Sequence, residues 1–95
     1  MGVDPRKFET VKFCLEALFT DVTLDESTQH FFFRDGKHSS ELVFAKVFLD
    51  DIRIHQLGWL KAHMTLKIIP ALKANPGKKI SVSNSGIHIR EIDPD

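Results

Sequence analysis

Ninety-five residues suffice for one domain with one modest core, and an apolar content of 42% supplies it. No apolar run approaches the roughly 20 residues needed to cross a bilayer, and the N-terminus lacks the charged and apolar regions of a signal peptide. The formal net charge of zero hides an asymmetry: residues 1–51 hold ten acids against six bases, and residues 52–95 hold three against seven.

From Ile52 to Arg90 there is no Asp or Glu. The single cysteine, Cys14, cannot form an internal disulfide, which points to a reducing, cytoplasmic setting. Its place among helical positions suits a small buried apolar residue. All eight Phe fall in the acidic half, and a side chain without a polar atom belongs mostly in a core.

The first expected element is a helix over residues 5–19. Asp4 suits an N-cap and Pro5 the first helical position, and Phe8, Val11, Leu15 and Leu18 form one apolar stripe flanked by Cys14. Residues 20–27 read as a polar connection. Thr28–Arg34 reads as a strand whose Phe31-Phe32-Phe33 run places aromatics on both faces. Asp35-Gly36 is a turn signal. Glu41–Leu49 carries two patterns. Val43, Phe44, Val47 and Phe48 favour a strand, whereas Leu42, Ala45, Leu49 and Ile52 fit a helix capped by Ser40. The strand reading is preferred, and it makes residues 28–49 a hairpin with His38-Ser39-Ser40 in its loop.

A second helix is expected from Ile54 or His55 to Lys73. Leu57, Leu60, Met64, Ile68 and Leu72 form one stripe, and Trp59, Ala62, Leu66 and Ile69 a second on nearly the opposite face. Pro70 should kink or interrupt this helix, and Asn75-Pro76-Gly77 should end it. Ile80 and Val82 then alternate with serines, Asn84-Ser85-Gly86 turns the chain, and Ile87 and Ile89 alternate with His88 and Arg90. These residues predict a β-hairpin with one apolar face. Asp93-Pro94-Asp95 makes a polar end. The stretch Ala71–Ile87 resembles the helix-to-hairpin passage of phosphotyrosine-binding domains: a helix end, a basic turn, a strand, and a Gly-Ile start to the next strand. The resemblance covers under a quarter of the chain and implies a shared supersecondary pattern.

Together these readings give a single domain, residues 1–95, of the α+β class. The order is helix-strand-strand-helix-strand-strand, with a mostly antiparallel four-stranded sheet and two helices on one face. No His or Cys spacing suits a metal, no glycine-rich phosphate loop is present, and nothing in the spacing supplies a base to a nucleophile. Neither catalysis nor a cofactor is expected. Ser81, Ser83, His88 and Arg90 share a polar sheet face, whose surface or edge offers a place for an extended peptide. The preferred function is a non-enzymatic protein-interaction module with a protein partner, a second copy of the chain among the candidates, and no membrane association. Its partner-binding candidates are Trp59, Leu66 and Phe32 as apolar anchors and Lys78, Lys79 and Arg90 as charged contacts. The alternative is nucleic-acid binding through the acid-free region 52–90.

Overall fold

The computed structural model describes residues 3–92. Helix α1 (Pro5–Glu16) leads into a three-stranded meander of β1 (Thr20–Asp25), β2 (His30–Asp35) and β3 (His38–Phe44). A helical crossover follows. It consists of α2 (Lys46–Asp51), a short 3-10 turn (Ile54–Gln56), α3 (Leu57–His63), a π turn (Met64–Ile68) and α4 (Ile69–Ala74). The hairpin of β4 (Lys78–Ser83) and β5 (Gly86–Glu91) completes the sheet. Its strand order is β1-β2-β3-β4-β5, with β3 and β4 parallel and the other neighbours antiparallel. The α+β class stands, with five strands in a mixed sheet where the sequence suggested four.

The additional strand is β1. Only Val22 and Leu24 alternate inward among its acids and threonines, so residues 20–27 looked like a connection. Its register slips between Thr20 and Thr23, where Asp21 adopts φ 55°. The Glu41–Leu49 segment divides between its two patterns: β3 ends at Phe44, and Lys46 begins α2. Ser39 and Ser40, expected in the hairpin loop, pair with Arg34 and Phe33 inside the ladder. The turn at Asp35-Gly36 stands, with Gly36 at φ 63°. Pro70 interrupts the long helix as expected. Immediately before it the backbone widens, and the Ile69 N–H donates to the Met64 carbonyl five residues back. The polar end at residues 93–95 lies outside the described residues.

One face of the sheet carries the core. Leu24, Phe31, Leu42, Ile80 and Ile89 form a cross-strand row, and Phe44, Val82 and Ile87 form a second. Leu15 and Val11 of α1 and Leu60, Met64, Ile68 and Leu72 of the crossover are buried over this face. The other face is open and carries the polar side chains of each strand.

Two polar contacts position the helices. Asp4 accepts a hydrogen bond from the Arg6 backbone N–H at 2.9 Å and caps α1, and the Arg6 side-chain bond holds its carboxyl below the usual carboxylate range. Lys7 is buried, and its Nζ donates to the Leu49 carbonyl at 2.6 Å, which ties α1 to the end of α2. Replacing Lys7 with Met should destabilise the fold by about 1–3 kcal/mol, since a charge-assisted bond to a buried carbonyl is lost. Urea unfolding of wild type and variant measures this. An unchanged midpoint would mean that the α1–α2 contact is carried by apolar packing alone.

Candidate functional site

Strand β5 is an edge of the sheet and lies at the margin of the helical layer. Ile80 is fully buried, but its cross-strand partner Ile89 is 51% exposed on the same face. Val82 is buried, and its partner Ile87 is half-buried. Between this strand and the crossover lies an apolar groove of about 380 Å³, lined by Phe48, Trp59, His63, Lys67, Val82 and Ile87 among others. A recess of about 190 Å³ adjoins it, sharing Phe48, Trp59 and Asn84 and adding Asp51 and Gln56.

The groove wall is built from three packed rings. Trp59 lies 4.9 Å from His63 with the planes 9° apart, and Phe48 lies 5.9 Å from His63 and 6.4 Å from Trp59. The four-residue spacing of Trp59 and His63 puts both on one side of α3. Phe48 reaches the same place from α2 and continues inward to Phe44 at 5.7 Å. Trp59 nevertheless remains 50% exposed, so a large apolar surface lies against solvent at the groove mouth.

The six candidates from sequence fall into separate regions. Trp59 lines the groove. Leu66, 69% exposed, lies on the π turn outside the groove lining. Phe32, Lys79 and Arg90 lie in one row across the open face, with Glu41 between Phe32 and Lys79. Phe32 is stacked against His30 at 4.3 Å, and His30 is hydrogen-bonded to Glu41 at 2.7 Å. Lys78 forms an ion pair with Glu91 at the end of the hairpin. The sequence missed Phe48, His63, Ile87 and Ile89 as site residues. The His55-x3-Trp59-x3-His63 spacing carried a signal for His63. The two isoleucines read as an ordinary core face, because nothing local marks where the helical cover stops.

The basic region does not form one surface. Lys61 lies over the Phe13 ring at 5.4 Å, and Lys73 lies over Phe19 and 3.9 Å from Asp35. Lys67 faces the groove, while Lys79 and Arg90 face away on the open sheet. Ser85 Oγ is 3.3 Å from His88 Nε2, but no carboxylate bonds to His88 among the described residues, so the oriented third group of a nucleophilic triad is missing there. No cluster of three potential metal ligands occurs among the described residues, and no helix in them is long and apolar enough to cross a membrane.

Neither the protein families, nor the curated proteins, nor the solved structures compared with the chain gave a match.

Burial lowers the pKa of the His63 imidazole, and Lys67 adds to the effect. The unfolded chain, with an ordinary histidine near 6.5, therefore takes up this proton first as pH falls. The contribution of neutral His63 is fully present above about pH 6.5 and declines as pH falls toward its lower folded value. A His63→Gln variant should lose less stability than wild type between neutral and mildly acidic pH in parallel thermal melts. Equal losses would remove His63 as a source of acid sensitivity. At Cys14, burial raises the thiol pKa and Lys61 opposes it. Native protein should therefore react with a thiol reagent far more slowly than unfolded protein.

Proposed function

We propose that the chain is a protein-interaction module without catalytic chemistry, and that its binding element is the free edge of β5 with the groove beside it. The observation that carries this reading is Ile89, half exposed on the core face of an edge strand and next to a groove walled by Phe48, Trp59 and His63. An edge strand presents a row of free backbone donors and acceptors. An extended segment laid along it adds a sixth strand and places alternate side chains on the groove side. Backbone pairing supplies affinity, and the groove selects a large apolar side chain.

Trp59 is the only tryptophan and reports directly on occupancy. Short extended peptides with isoleucine at alternate positions should shift its emission to the blue as the ring leaves water. Ile89→Arg should abolish the response while leaving the melting temperature nearly unchanged, because the side chain is exposed. Trp59→Ala, followed by chemical shifts of the β5 amides, should weaken binding without unfolding the protein. Failure of every such peptide to move Trp59 emission, or equal binding by Ile89→Arg, would contradict the proposal. The alternative predicts instead that a single-stranded oligonucleotide binds at low salt, and that joint replacement of Lys78 and Lys79 removes binding.

A further inference from the structure

We infer that the segment received by β5 is the β5 strand of a second copy of this chain, paired antiparallel about a two-fold axis at His88. This rests on the reading of β5 as the binding element and names its occupant.

The two sheet edges differ. Strand β1 carries a register slip, Asp21 at φ 55° and the acids Asp21 and Asp25, all of which oppose pairing with another strand. Strand β5 pairs with β4 in unbroken register from Gly86 to Glu91 and contains no proline. Matching the β1 edge of one copy to the β5 edge of the next would repeat head to tail and form an open filament. Pairing β5 with itself closes after two copies.

The register follows from the faces. Side chains directly opposite in an antiparallel ladder share a face, so the axis must pass through a residue. An axis between His88 and Ile89 would set Ile87 against Arg90, which point to opposite sides. An axis at Ile89 opposes Ile87 to Glu91 and His88 to Arg90, apolar against charged and imidazole against cation. An axis at Ile87 sends Ile89 against Ser85, in the turn. An axis at His88 opposes Ile87 to Ile89 twice and sets Arg90 against Gly86, which has no side chain to crowd it. It also covers the half-exposed Ile89 with the isoleucine that lines the groove of the other copy. Glu91 then lies opposite Ser85, in the turn between Asn84 and Gly86.

The same axis places the two His88 rings opposite each other at cross-strand distance. On the open face His88 lies opposite Ser81 in the ladder, with Ser85 at 3.3 Å and the Lys79–Arg90 pair at the next same-face position. The helices lie on the other side of the sheet.

Sedimentation equilibrium over a range of concentration should show the mass doubling at neutral pH. Ile89→Arg should remain folded and monomeric. A His88→Cys variant carrying Cys14→Ala should form a disulfide-linked dimer under mild oxidation, since only a residue on the axis meets its own copy. Arg90→Cys in the same background should not. Wild type that stays monomeric at every concentration would overturn the inference, as would a dimer unaffected by Ile89→Arg or crosslinking through position 90 instead of 88. If the alternating peptides still move Trp59 emission while the chain stays monomeric, the β5 reading survives and self-pairing falls. If both tests fail, the binding element is wrong as well.

Discussion

Residues Glu41–Phe44 run parallel to Lys79–Val82, and a parallel pair cannot be joined by a tight turn. The chain must leave the sheet at Phe44, travel back along it and re-enter at Lys78. The thirty-three residues between form the crossover, and most of its length is helical. Its apolar stripe of Leu60, Met64, Ile68 and Leu72 needs cover, and the inner row of Phe31, Leu42 and Ile80 needs the same. Each supplies the other, and α1 completes the layer through Val11 and Leu15. Buried side chains of this size are each worth roughly 1.5–3 kcal/mol relative to exposure, so this shared face dominates stability.

Once the crossover has set the helical layer over the central strands, β5 is added outside it. The hairpin turn at Asn84-Ser85-Gly86 returns the chain antiparallel to β4, with Gly86 at φ 125°, a conformation that favours glycine. The pattern of Ile87 and Ile89 continues the apolar rows outward, but the cover stops at Trp59 and His63. The groove is thus a product of topology: two apolar rows extend one strand further than the helices do.

The class of the fold was legible because its strongest patterns are local. Asp4-Pro5 began α1, the stripe from Leu57 to Leu72 faced inward, and the Ile80–Ile89 alternation made a hairpin. What escaped depends on pairing. Strand β1 borrows its regularity from β2, through Leu24 against Phe31, and its own sequence shows little of it. The segment after Glu41 held both periodicities because it changes from strand to helix at Ala45, whose N–H still bonds to the Val82 carbonyl. The exposure of Trp59 was legible from its position opposite the main stripe. Its joining to Phe48 and Ile87 was not, since these residues meet only through the crossover. Phe32, Lys79 and Arg90 were grouped with Trp59 by residue type, and strand alternation sends them to the other face.

The claim on which this account rests is that β5 is the edge at which the molecule meets another strand. Backbone hydrogen exchange resolved by residue, in dilute and in concentrated protein, tests it most directly. The account predicts that amides within 86–91 gain protection as concentration rises, while those of the bulged edge at 20–25 do not change. Exchange at 86–91 that is independent of concentration, or new protection at 20–25, would contradict it.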